Sequence, residues 1–186
     1  MKQQAPLQAA QPMGAATPLA GVSGMDEMLE AKLWRNPCWF SFRLNYLALR
    51  YNLPLYDWVR RVHGLSRPEY VVLYSLALTG AGCATDVVRT SGFPKNTLSR
   101  AVRRIEALGL VERRRDEGDG RNQVLTLSQA GRALMEATMP VFVAHERRML
   151  SGLNEEERAT LARLMAKVVL DHDAWPDRIE EGRDAP

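Results

Sequence analysis

Thr85-Asp86-Val87-Val88-Arg89-Thr90-Ser91-Gly92-Phe93-Pro94-Lys95-Asn96-Thr97-Leu98-Ser99-Arg100-Ala101-Val102-Arg103-Arg104-Ile105-Glu106-Ala107-Leu108 holds two short helical patterns with a glycine between them. The first stops at Ser91-Gly92, and after Phe93 alone the second opens at Pro94. Leu98, Val102, Ile105 and Leu108 recur at helical spacing and should point into a core. Asn96, Ser99, Arg100, Arg103 and Arg104 fall on the remaining arc. Two short helices joined by such a turn read as a helix-turn-helix. The second helix of such a pair meets the major groove through its N-terminal residues. That places Lys95, Asn96, Thr97, Ser99 and Arg100 at base edges and Arg103 and Arg104 nearer phosphates. Arginine on guanine and asparagine on adenine are the geometrically favoured bidentate contacts. The competing reading is a surface helix of a winged domain that binds protein.

Downstream the period changes from helix to strand. Val111-Glu112-Arg113-Arg114 can be a strand, Asp116-Glu117-Gly118-Asp119-Gly120 is a turn, and Gln123-Val124-Leu125-Thr126-Leu127 is a returning strand. This is a charged hairpin, or wing. Ser128 should cap a further helix bent at Pro140, and Asn154, followed by three glutamates, should cap the last. Upstream, Ser66 caps a helix with Pro68 and Glu69 in its first turn, running through Tyr70, Leu73 and Leu76 to a break at Gly80/Gly82. Before it, a long apolar-periodic segment runs from Asn36-Pro37 to His63-Gly64, and Pro54 should kink it. The expected fold is mainly α: four helices, a small β-hairpin wing and two more helices.

Charge supports the same segment. Between Arg89 and Arg115 stand eight basic residues against two acids, whereas the whole 186-residue chain carries a formal net charge of only +3. A cationic stretch in a nearly balanced chain is the footprint of a face that meets phosphates, although a solvated helix would also carry such charge. Several classes are excluded. No apolar run approaches the roughly 20 residues of a membrane-spanning helix. The N-terminus lacks the pattern of a secretory signal, so a cytoplasmic location is expected. Two cysteines, Cys38 and Cys83, are too few for a disulfide scaffold. His63, His145 and His172 have no metal-ligand spacing among themselves or with a cysteine. No nucleophile–base or phosphate-loop constellation suggests an enzyme, and no cofactor is implied.

Four segments carry a family resemblance: Leu-Ser-Arg-Pro-Glu-Tyr (65–70), Asn-Thr-Leu-Ser-Arg (96–100), Leu-Gly-Leu-Val-Glu-Arg (108–113) and Asp119-Gly-Arg121-Asn-Gln-Val-Leu125-Thr-Leu127-Ser128-Gln-Ala-Gly131. Together they resemble the MarR family of winged-helix transcriptional regulators, over about residues 37–172. The last segment fits the family's wing signature except that Ser128 replaces threonine, a conservative change for a helix cap. The resemblance implies a homodimer joined by the helices over 37–63 and 128–172, with a DNA-binding lobe over 66–127. It also implies that Arg121 enters the minor groove, where Gly120 replaces a frequent second arginine. Asp119 would orient the wing by pairing with an arginine, and Arg113 would contact DNA. The whole domain would span 26–172, between a disordered tail over 1–25 and a C-terminal tail over 173–186.

Family members commonly respond to phenolic or aromatic-acid ligands held between the dimerisation helices and the DNA-binding lobe. Trp39, Arg43, Tyr46 and Arg50 form one helical stripe that combines aromatic surface with two cations, as a carboxylate would require. The plainer reading makes these aromatics interface core, with the arginines paired to acids of the C-terminal segment. One branch of the family senses peroxides through a cysteine in the first helix; that position falls on Phe42 here, with Cys38 one turn earlier. A thiol near a helix N-terminus would be activated. The simpler expectation is a buried, inert Cys38 and a Cys83 that only fills space. The partners expected are therefore double-stranded DNA, a second copy and an aromatic acid or phenol.

Overall fold

The computed structural model describes residues 26–115 and 123–171. The expected tails over 1–25 and 173–186, the wing tip with Asp119 and Arg121, and His172 lie outside the described residues. These form α1 (Glu27–Trp34), α2 (Trp39–His63), α3 (Arg67–Thr79), β1 (Ala81–Gly82), α4 (Ala84–Ser91), α5 (Lys95–Ala107), β2 (Val111–Arg115), β3 (Gln123–Leu127), α6 (Gln129–Met149) and α7 (Glu155–Leu170). Two of these were not expected. Helix α1 precedes the first expected helix, and β1 replaces the plain break at Gly80/Gly82. Both Pro54 and Pro140 lie inside helices that continue through them. Each withholds a backbone donor from the carbonyl four residues earlier.

The chain divides into two compact units, Met1–Pro140 and Val141–Pro186. In the first, α3 buries Tyr70, Val72, Leu73 and Leu76 and packs on α5, which buries Leu98, Ala101, Val102 and Ile105. The expected apolar face of α5 is therefore present, with one correction. Leu108 is 48% exposed, because the helix ends at Ala107 and Gly109, at φ +69°, turns the chain away. Beneath these helices lies an antiparallel sheet of order β1-β3-β2. Val111 faces Leu127 and Arg115 faces Gln123 across β2 and β3, while Ala81 and Gly82 face Thr126 and Leu125. Val111, Leu125 and Leu127 are buried, as a sheet with one face on the core requires.

Local caps fix where the helices begin. Glu69 reaches back to accept the Ser66 backbone N–H at 2.7 Å, closing the expected capping box of α3. The buried Tyr70 hydroxyl donates to Thr138 Oγ1 at 2.8 Å, and that hydroxyl donates in turn to the Leu134 carbonyl at 2.8 Å. Burial pushes the Tyr70 phenol up to about 12, although its bond to Thr138 pulls the other way. A tyrosine kept protonated in the folded state but free to ionise near pH 10 when unfolded contributes stability that is present below pH 10. That stability is lost as pH rises toward 12. Denaturant unfolding measured between pH 9 and 12 should show this decline, and Tyr70→Phe should make it shallower; an equal decline in the variant would assign it to other groups.

In the second unit Asn154 caps α7, accepting from the Glu157 N–H at 2.9 Å while its own N–H donates to the Glu157 carboxylate at 2.8 Å. This is the expected start of the last helix. No side chain of α7 is buried, yet Leu164, Met165 and Val169 are large and apolar. Among the described residues, no helix is long and apolar enough to cross a membrane, and no group of three or more His, Cys, Asp or Glu could hold a metal ion.

Candidate nucleic-acid interface

Helices α4 and α5 form the expected pair. Helix α4 is capped at its start by Cys83, whose backbone N–H meets the Asp86 carboxylate, and at its end by Gly92. Gly92 sits at φ +70°, a conformation that side chains with a β-carbon rarely adopt, so the tight turn depends on glycine there. Phe93 follows, and Pro94 then stands at the N-cap of α5, its carbonyl accepting from Thr97 and Leu98. With Leu98, Ala101, Val102 and Ile105 turned into the core, Lys95, Asn96, Arg100, Arg103 and Arg104 are exposed, and Thr97 and Ser99 are half-buried at the edges of the arc. Among the described residues, Lys95, Arg100, Arg103 and Arg104 make no salt bridge, so their charge is not neutralised within the fold.

Arg113 is placed differently from these four. Its Nε and Nη2 bond both oxygens of Glu106 at 3.1 and 2.8 Å, a bidentate pair that ties β2 to the last turn of α5. Both side chains are about one-third exposed, so the pair fixes geometry more than it adds stability. Arg114 reaches Glu112 at 3.4 Å, and both side chains are well exposed.

The Trp39, Arg43, Tyr46, Arg50 stripe is engaged within the protomer. The Arg43 guanidinium lies 4.9 Å from the Trp34 ring and 4.8 Å from the Trp39 ring, and its Nε donates to the Leu33 carbonyl at 2.8 Å. Arginine thus clamps α1 onto α2. Arg50 lies 6.0 Å from the Tyr46 ring. Farther along α2 an open cleft of about 360 Å³ is lined by Asn52, Leu53, Tyr56, Asp57 and Arg60 together with Ser66 and Arg67 at the start of α3. None of the four stripe residues lines it. The sequence reading missed Arg60 and Arg67; continuing the same helical spacing about three turns beyond Arg50, to Leu53, Asp57 and Arg60, would have reached this wall.

Asp57 accepts from Arg60 at 2.7 Å and Arg61 at 2.8 Å, and hydrogen bonds from these two guanidinium groups hold its carboxyl below the ordinary range. Burial pushes the Tyr56 phenol up, while the charge of Arg67 and a hydrogen bond from its side chain pull it part of the way back. With Asp57 already shared by two arginines, Arg67 leaves the cleft a net cationic wall beside an aromatic one. Cys38 requires a correction: it stands at the exposed N-cap of α2 and is not buried. The reason is local, since a residue just outside a helix start packs on no face of that helix. Cys83 is a partly buried free thiol.

A family model described as MarR family matches residues 63–122. The transcriptional regulator PecS of Dickeya dadantii is 31% identical over 115 residues, which cover 60% of this chain and 69% of PecS. A crystal structure of a MarR-family transcriptional regulator from Silicibacter pomeroyi is 26% identical with a TM-score of 0.65, covering 77% of this chain and 93% of that one. A structure concerned with the regulation of DNA binding of Bordetella bronchiseptica BpsR by 6-hydroxynicotinic acid is also 26% identical, with a TM-score of 0.54 over 68% of this chain and 98% of that one.

Proposed function

The chain belongs to the MarR family of transcriptional regulators, which are not enzymes, and from that premise we propose that it is a cytoplasmic repressor that binds a specific double-stranded operator as a homodimer. One observation carries the DNA reading: the exposed arc of α5 presents Asn96 and four cations without a salt bridge among the described residues, on the second helix of a helix-turn-helix. Base edges fall to Lys95, Asn96, Thr97, Ser99 and Arg100, and phosphates to Arg103 and Arg104. Arg121 reaches the minor groove, and Asp119 orients the wing. Arg113, which forms a bidentate pair with Glu106, is also assigned to the DNA-contacting face. Homodimerisation is supported by α7, on which Leu164, Met165 and Val169 are exposed, and by Phe42, Leu47 and Leu53 exposed on α2.

A two-fold dimer carrying one reading helix per protomer should protect a pseudo-palindrome with half-sites about 10 bp apart on one face of the duplex, with affinity falling steeply in salt. Footprinting on genomic fragments selected by the protein tests this. Protection of a single asymmetric half-site, or binding indifferent to salt, contradicts it, and no shift with any fragment at low salt favours a protein-binding module.

We place the effector in the cleft bounded by Tyr56 and Arg67 and assign it the chemistry of an aromatic carboxylate or phenol. The support is the pairing of an aromatic wall with a guanidinium that makes no salt bridge among the described residues, and the fact that DNA binding of BpsR, a protein of similar fold, is regulated by 6-hydroxynicotinic acid. The stripe residues Trp39, Arg43, Tyr46 and Arg50 do not line this cleft, and Arg43 holds α1. Release of DNA by peroxide, prevented by Cys38→Ser, would transfer sensing to the exposed thiol instead.

A further inference from the structure

The Arg67 guanidinium stands 5.1 Å from the Tyr56 ring and 5.5 Å from the Phe93 ring. Tyr56 belongs to α2 and lines the cleft, Arg67 opens α3 and lines the same cleft, and Phe93 does not line it: it lies in the three-residue turn between α4 and α5. One planar cation therefore touches the cleft and the hinge of the DNA-reading pair. Phe93 is only half-buried, and the residues on either side of it, Gly92 and Pro94, set α5's starting direction. The ring thus stands two residues before the first turn of α5, where Lys95 and Asn96 lie.

We infer that Arg67 is a positioning residue that couples the cleft to the reading helix, its contact with Phe93 favouring the DNA-competent placement of α5 and giving way when an anion occupies the cleft. The physical reason lies in the guanidinium. It stacks on rings through its faces but donates hydrogen bonds through its edge, so an anion that aligns the edge with itself rotates the face away from a ring. Asp57 does not compete for Arg67, because Arg60 and Arg61 already hold it. Lysine carries the same charge without the planar face and should not substitute. The inference rests on the reading of the cleft as the effector site, and a ligand-free arm of the test keeps the two separable.

In the first arm, salicylate binding to the full chain is measured by calorimetry with and without a genomic DNA fragment selected by the protein. In the wild type, DNA should weaken salicylate about fivefold or more, and salicylate should weaken DNA by the same factor. Phe93→Leu, outside the cleft wall, should leave salicylate affinity of the DNA-free protein within about twofold. It should lower DNA affinity by a few-fold and reduce the mutual weakening to under about twofold. Arg67→Lys should likewise lose the coupling, and Phe93→Tyr, which keeps the ring, should retain it. Lower DNA affinity in Phe93→Leu with the salicylate effect undiminished would mean a merely structural ring and overturn the inference. In the second arm, without ligand, Tyr56→Leu and Phe93→Leu should affect DNA affinity non-additively by about threefold, and additively once Arg67→Ala is present. Additivity in the Arg67 protein overturns the coupling whatever salicylate does, whereas failure of salicylate to bind the wild type with the non-additivity intact overturns only the effector site.

Discussion

Replacing Arg100, Arg103 and Arg104 together with alanine should lower operator affinity by about 10³-fold or more and flatten its dependence on salt by about 0.9 in slope for each phosphate no longer neutralised. The size of the effect follows from the surroundings of the three side chains. All are exposed on the outer arc of α5, and among the described residues none is neutralised by a carboxylate. Their charge is therefore available to phosphates, and removing them leaves no buried group unpaired. Thermal unfolding of the triple variant should match the wild type, which separates weakened DNA binding from a damaged fold. The single variants divide the effect. Arg100→Ala should cost about 1 to 3 kcal/mol, concentrated at one symmetric operator position, because it lies in the first two turns where base edges are within reach. Arg103→Ala and Arg104→Ala should weaken binding to all operator variants alike and each reduce the salt slope. Arg121→Ala should also act broadly, since minor-groove readout depends mainly on width. A panel of single-base operators decides the matter: a uniform loss for Arg100→Ala with a base-specific loss for Arg103→Ala would exchange the roles, and an unaffected triple variant would remove DNA from this face altogether.

Features set by local chemistry are legible in the sequence itself. The four apolar positions of α5 stand at a spacing only a helix aligns. Gly92 permits a turn other residues resist, and Ser66 with Glu69 and Asn154 with Glu157 are caps whose partners lie three residues away. Features made by residues far apart in the chain are not legible there. Helix α1 is eight residues long, too short to persist alone, and is held by an arginine that reaches across from α2 to its last residue, Trp34. Strand β1 has two residues and exists because β3 runs alongside it. Arg113 reads as another free cation in a basic run, but the strand carries it back to Glu106, seven residues earlier on the preceding helix. The cleft is formed by the approach of two helix segments, so its two walls are visible only once α2 and α3 have packed. Leu108 misleads for the opposite reason: it keeps helical spacing past the end of the helix, where Gly109 has already redirected the chain.

Gly131→Ala should destabilise the protein by about 2 kcal/mol or more, although alanine is the better helix former. Taken alone, exchanging glycine for alanine inside a helix should gain up to about 1 kcal/mol. Gly131 is in the first turn of α6 and is buried, and a β-carbon there would collide with the Leu110 carbonyl, with the Leu127 side chain 3.3 Å away. The carbonyl is not free to retreat. It accepts the Ser128 backbone N–H at 3.0 Å, and the neighbouring Gly109 carbonyl accepts the Ser128 hydroxyl at 2.6 Å. That same hydroxyl accepts the Gly131 N–H at 3.0 Å, so the end of α5, the start of β2 and the cap of α6 are fastened around a single side chain. Relief must come from moving backbone, and overpacking of that kind costs about 1 to 3 kcal/mol and sometimes more, which exceeds the propensity gain. Ser128→Ala offers the control: it removes the cap without adding volume and should cost about 1 kcal/mol. Urea unfolding of the two variants should therefore rank Gly131→Ala below Ser128→Ala. A Gly131→Ala protein as stable as the wild type would mean that the turn at Gly109-Leu110 yields freely, and the close approach of α6 to the sheet would then not depend on this glycine.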